Sequence, residues 1–168
     1  MIAYYTNIED FWTESLQSYE FPHSVSTGQN IEFHENYNHE QNNLLQGFDE
    51  ELPVVCSKFY QTLELEFEKS AMSWTCIRPG NTIPIHQDKF YKLRTKHNVN
   101  IDQCKRFLVF LEDWQLGHYV EFDTQLVTKW RKGDVWVFTH ESPHCAANAS
   151  HNNFYTCQIN IIEDNNVN

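Results

Sequence analysis

His86-Gln87-Asp88 places an imidazole and a carboxylate two positions apart, the spacing at which side chains leave the same face of a β-strand. Such a pair can reach one cation, and imidazole with carboxylate suits a divalent first-row metal. Without further ligands the tripeptide reads equally as a hydrogen-bonded pair on a half-exposed strand, so the question is what else could join it. Two histidines downstream qualify, His140 and His144. Together they spell H-E-x-x-H, the pattern in which two histidines one helical turn apart bind zinc and a glutamate acts as general base. That reading needs a helix through both. A strand pattern leads into the segment, and Pro143 disfavours a helical conformation at Ser142.

The elements that must position these groups fall into two parts. In the amino-terminal part, Leu52, Val55, Cys56, Phe59, Leu63 and Phe67 recur at three- and four-residue steps, which predicts an amphipathic helix between Asp49 and Ser70. A weaker helical pattern joins Ile8, Phe11, Trp12, Leu16 and Tyr19. The polar run from His34 to Asn43 reads as a loop. From Met72 onward, short segments rich in Val, Ile, Phe, Tyr and Trp alternate with turn residues. Strands are expected near 73–78, 83–90, 105–112, 118–122, 126–130, 134–138, 144–148 and 154–162. The prediction is one domain, with residues 1–71 as helical support and residues 72–162 as a mainly β core of two packed sheets or a barrel.

Composition narrows the function classes. A chain of 168 residues fits one domain. Twelve Lys and Arg against twenty-three Asp and Glu give a formal charge of −11, which argues against nucleic acid or an anionic membrane as the main partner. No run approaches twenty consecutive apolar residues, and the amino terminus lacks a basic region followed by an apolar one. The five cysteines form no C-x-x-C pair and read as reduced thiols. A soluble, cytoplasmic protein of undetermined oligomeric state is the expectation.

The downstream segments add a pattern to His86 and Asp88. They are Trp130-Arg131-Lys132-Gly133-Asp134 turning into a strand, Pro143-His144-Cys145-Ala146-Ala147-Asn148, and a closing strand from Phe154. In this order, over roughly residues 74–162, the sequence resembles the Fe(II)- and 2-oxoglutarate-dependent dioxygenases, nearest to the small prolyl- and aspartyl/asparaginyl-hydroxylase-like members. The resemblance implies a double-stranded β-helix, a cupin-like jelly-roll barrel. It also implies that His86, Asp88 and His144 hold iron as a facial triad, with His144 preferred to His140 because the Pro-His pair and Asn148 match the pattern. Three ligands on one face leave positions for a 2-oxo acid and O2. The implied reaction is hydroxylation of a C–H bond in a small molecule or a protein side chain, coupled to conversion of 2-oxoglutarate to succinate and CO2.

One departure stands out. About ten residues after the distal histidine the family commonly carries an arginine that pairs with the far carboxylate of 2-oxoglutarate, and here that position is Phe154. A buried dicarboxylate still needs a cation. Arg106, on a central strand twenty residues after His86, is the expected substitute. Lys105, of opposite parity, is the reserve should the register shift by one, and Tyr91 or Tyr155 could add a hydroxyl. The long polar segment from Lys89 to Cys104 is expected as a mobile lid. Two other functions stay open: a cupin-like metalloenzyme that works without 2-oxoglutarate, and a metal-free barrel that only binds. His118, Asp113, Asp123 and Asp134 are read as ordinary strand and turn residues.

Overall fold

The computed structural model describes residues 2–8, 21, 23–26, 43–48, 56–123 and 125–163. Eleven strands occur among them: β1 Ile2–Asn7, β2 His23–Ser26, β3 Asn43–Phe48, β4 Ser70–Ile77, β5 Thr82–His86, β6 Cys104–Phe110, β7 His118–Phe122, β8 Gln125–Val127, β9 Asp134–Thr139, β10 His144–Asn148 and β11 Phe154–Ile162. Two short helices, α1 Cys56–Thr62 and α2 Tyr91–His97, accompany them. The strands form a large sheet in the order β1-β9-β6-β11-β4-β3-β2 and a small one in the order β5-β10-β7-β8. Every pairing is antiparallel. This is the double-stranded β-helix architecture, mainly β, as the sequence implied.

Period-two alternation sorts the large sheet into two faces. Met72, Trp74 and Cys76 of β4, Phe107 and Val109 of β6, and Cys157 and Ile159 of β11 join Phe59 and Leu63 of α1 in one core on the outer face. The intervening residues Ile77, Leu108, Phe110, Phe138 and Phe154 meet Val120, Phe122 and Val127 of the small sheet in a second core between the sheets. The inner face also carries a polar band. Register aligns Gln46 with Thr75, Thr75 with Thr156, Ser73 with Gln158, and Arg106 with Asn160. The Thr75 and Thr156 hydroxyls sit 2.5 Å apart.

Several expectations need correction. Residues 1–71 contribute three strands, β1 to β3, among their described residues, in place of a purely helical support. β1 escapes pattern reading because it pairs at the sheet edge with most of its side chains in water. The helix expected between Asp49 and Ser70 is confined to Cys56–Thr62 in its described part. Its periodicity breaks where Glu64 adopts φ +54° and the chain turns into β4. The weaker helical pattern from Phe11 to Tyr19 lies outside the described residues. The segment 89–104 is no open lid: it folds into α2 and a 3-10 turn at Ile101–Gln103. Leu93, fully buried against Phe90 and Cys104, pins that helix to the barrel. Among the described residues, no helix is long and apolar enough to cross a membrane.

Candidate metal centre

His86 closes β5, and a bulge decides where it points. His144 pairs with His86 and Ala146 with Ile83, so Pro84 and Ile85 together oppose the single residue Cys145. One extra residue reverses the parity: Ile83 and His86 both face the barrel cavity, and Ile85 is turned out to solvent. Asp88 lies two residues beyond the strand end, in the connection to α2. It therefore converges with His86 by a turn and not, as the spacing suggested, by sharing a strand face. His144 opens β10 and is paired on its other side with Phe122 of β7.

One ligand atom from each of His86, Asp88 and His144 lies within 4.8 Å of the others, a cluster that could hold one metal ion. The His86 Nε2 atom is 3.8 Å from Asp88 Oδ1, and His144 Nε2 is 3.9 Å from Asp88 Oδ2. Both rings are oriented by the same device. Each Nδ1 donates to the backbone carbonyl two residues earlier, His86 to Pro84 at 2.8 Å and His144 to Ser142 at 2.9 Å. With Nδ1 turned to a carbonyl, Nε2 is the ring atom directed at the cluster, which is the orientation a metal ligand requires. Burial pushes the His144 imidazole down to about 4, with Asp88 opposing that shift, so the ring is neutral near pH 7. Phe138 packs edge-on against His144 at 4.7 Å and Phe122 stands 5.6 Å away.

The carboxylate is buried and held beside a cation. Asp88 is buried, and its Oδ2 accepts no hydrogen bond among the described residues. Arg106 Nη1 approaches that oxygen at 3.0 Å as an ion pair, outside hydrogen-bond geometry. A buried carboxylate oxygen calls for a cation beside it, and Arg106 supplies one here. The two imidazoles and this carboxylate are together a donor set that fits a divalent metal.

A cavity of about 180 Å³ runs from this cluster into the barrel. Ile83, Val120 and Ala146 wall it on the small sheet; Leu108, Gln46, Thr156 and Gln158 wall it on the large one. Arg106 is the one Lys or Arg among its lining residues, as its predicted parity required. Its Nε donates to Asn160 Oδ1 at 2.8 Å, and its guanidinium stands 5.7 Å from the Phe90 ring centroid. Lys105, the reserve, is on the other face in an ion pair with Glu163.

Phe154 occupies the place expected of an arginine and is used for packing. It is 2% exposed, with His118 stacked at 4.7 Å and Trp130 at 5.3 Å. Other candidates lie elsewhere. His140 faces Asp102, at 3.5 Å, and a turn at 140–141 leads through 142–143 into β10, so no helix carries the H-E-x-x-H pattern. Tyr91 is exposed, and the Tyr155 hydroxyl accepts from Asn153 on the outer side of the sheet. Asn148 is a structural latch, donating to Ile77 and Asn152 carbonyls at 2.7 Å each. Asp134 caps the turn at Arg131, and Asp113 accepts from the Lys132 amide, as turn chemistry predicts. Gln158 and Asn160 were not singled out from sequence. Uncharged amides gain meaning only once the inward face of β11 is known.

No protein-family model matches the sequence, and no curated protein does. Solved structures resemble it at the level of fold. A prolyl-4-hydroxylase from Pseudomonas putida shares 15% identity over 73% of this chain and 71% of its own, with a TM-score of 0.49. A cupin superfamily protein from Desulfitobacterium hafniense shares 15% over 80% and 84%, with a TM-score of 0.43. For the plu4264 protein from Photorhabdus luminescens the values are 12%, 58% and 64%, with a TM-score of 0.41, so this chain spans less than two thirds of that protein. Likenesses this distant say nothing of activity, and the architecture rests on the strand order itself.

Proposed function

We propose that the protein is a non-haem Fe(II)- and 2-oxoglutarate-dependent oxygenase that hydroxylates a C–H bond, with His86, Asp88 and His144 as the iron ligands. The observation that carries this reading is the convergence of the His86 and His144 Nε2 atoms and the buried Asp88 carboxylate on one point beside the barrel cavity. Iron bound there would supply the oxidation, which no side chain of the protein can. The chain's own groups would orient and shield. The carbonyls of Pro84 and Ser142 fix the two rings. Phe122 and Phe138 exclude water from the His144 side. Arg106 would neutralise a cosubstrate carboxylate within the cavity it lines.

The direct test is anaerobic titration with Fe(II) and then 2-oxoglutarate, looking for the weak visible absorption of a metal-chelated 2-oxo acid, followed by succinate release on admitting O2. Iron binding without that band would favour a second reading: a cupin-like metalloenzyme that does not use 2-oxoglutarate. The observation on its side is Phe154, which is locked into an aromatic stack where the resembling family carries its carboxylate anchor.

A further inference from the structure

β5 stops at His86 and α2 starts at Tyr91, so residues 87–90 must turn a strand into a helix while bringing Asp88 inward. Along them the chain alternates: Gln87 and Lys89 are exposed, Asp88 and Phe90 buried. The corner itself is Phe90, at φ +49° and ψ +33° in the left-handed region. For a bulky side chain that conformation is strained, because Cβ crowds the carbonyl. Among the described residues three other non-glycines share a positive φ, Glu64, Asn98 and Lys129, and all three are exposed. Asn98 ends α2, where a left-handed asparagine is an ordinary cap. An aromatic at the start of the helix has no such reason. Strain of this kind persists only where the surroundings hold it. Here the Phe90 ring is 6% exposed and packed with Leu93 and Cys104, and the Phe90 carbonyl accepts from the Arg94 amide at 3.0 Å.

The corner bears on the metal centre by two routes. Asp88 stands two residues before it, beyond the last pairing of β5, so the backbone direction at Phe90 sets where the carboxylate lies against His86 and His144. The ring stands 5.7 Å from the Arg106 guanidinium, which in turn lies 3.0 Å from Asp88 Oδ2. We infer that Phe90 is a positioning residue: its left-handed backbone places the Asp88 carboxylate at the meeting point of the two imidazoles, and its buried ring keeps that backbone in place. The inference rests on the reading of His86, Asp88 and His144 as metal ligands. It adds that a side chain outside the ligand set governs how tightly the ion is held.

The experiment measures Mn(II) affinity by paramagnetic resonance of the free ion, with melts of chelator-treated protein in parallel, for wild type, Phe90→Leu, Phe90→Ile and Phe90→Gly. Leu and Ile bury the same number of carbons, but the β-branch of Ile is the poorer fit to a left-handed backbone. Gly adopts that backbone freely and loses the ring. Phe90→Leu should bind Mn(II) within about threefold of wild type, and Phe90→Ile about fivefold or more below Phe90→Leu, the order of strain at one residue. Phe90→Gly should melt lowest, having lost a buried side chain, and still bind Mn(II) more tightly than Phe90→Ile. A role in packing alone predicts the reverse, with Leu and Ile alike and Gly weakest. Equal affinity of Phe90→Leu and Phe90→Ile, or weaker binding by Phe90→Gly than by Phe90→Ile, would overturn the inference while leaving the metal centre intact. If Phe90→Gly does not fold, the comparison of Leu with Ile decides by itself. A wild type that binds no Mn(II) would remove the metal centre.

Discussion

Replacing Phe154 by arginine would place there the side chain that the resembling family carries, and the structure predicts that the protein will not tolerate it. Phe154 is 2% exposed and sits in a stack with His118, Trp130 and Phe110, the last at 6.3 Å and 8° from parallel. Losing a buried phenylalanine costs about 3–5 kcal/mol, and loss of its aromatic partners about 0.5–1.5 more. A guanidinium placed there has no carboxylate in the stack to pair with, which adds several kcal/mol. The total is at least about 5 kcal/mol, against a typical whole-domain stability of about 5–15. With a urea m-value near 2 kcal/mol/M, Phe154→Arg should lower the unfolding midpoint by about 2.5 M or abolish the folded state. Phe154→Leu keeps an apolar filler and should cost about 1 kcal/mol, or about 0.5 M. Urea titration monitored by tryptophan fluorescence measures both. A Phe154→Arg protein with a wild-type midpoint and tighter 2-oxoglutarate binding would refute the packing role and show that the position is a latent anchor.

Two glycines with similar backbone angles separate strain from collision. Gly133→Ala would drive a Cβ into the Ile8 carbonyl, whereas Gly80→Ala, also at positive φ, meets nothing within 4 Å. The second should cost about 1–2 kcal/mol and the first clearly more in thermal melts, with equal losses contradicting the described β1–β9 junction. Burial holds the Cys76 thiol up at about 12 and raises Cys104 and Cys145 as well. About one part in ten thousand of Cys76 is thiolate at pH 8, so iodoacetamide should label it orders of magnitude faster in urea than in the native protein. Burial also lowers His118, and lowers His144 to about 4. Each lowered histidine binds its proton more readily when unfolded, so metal-free protein should lose stability as pH falls below about 6.5. For His144 the loss should level off near pH 4, and His118→Phe should make the decline shallower in urea titrations at stepped pH.

Strands whose apolar residues face a core were legible residue by residue: β7, β10 and β11 begin and end where alternation and turn residues placed them. The facing of Arg106 against Lys105 was legible for the same reason, because parity is set once the β6 core face is known. What escaped reading depends on pairing instead of pattern. β1 has exposed Ala3, Tyr4 and Tyr5 and exists because β9 offers an edge. The bulge at Pro84–Ile85 cannot be seen without the partner strand, so the pattern runs on to Phe90 whereas β5 stops at His86. α2 hides among charged residues because it buries a single side chain, Leu93. Of the site, His86 and Asp88 are legible from type and spacing and His144 only through the family resemblance, while the amides that orient Arg106 and face the cavity are legible from neither.

The most direct measurement is the stoichiometry of divalent metal, taken by anaerobic Fe(II) titration and by Mn(II) paramagnetic resonance on wild type, His86→Ala, Asp88→Ala and His144→Ala. One ion per chain in the wild type, lost or weakened at least a hundredfold in each folded variant, is the predicted result. Absence of binding in the wild type, or binding that persists unchanged in all three variants, would contradict it.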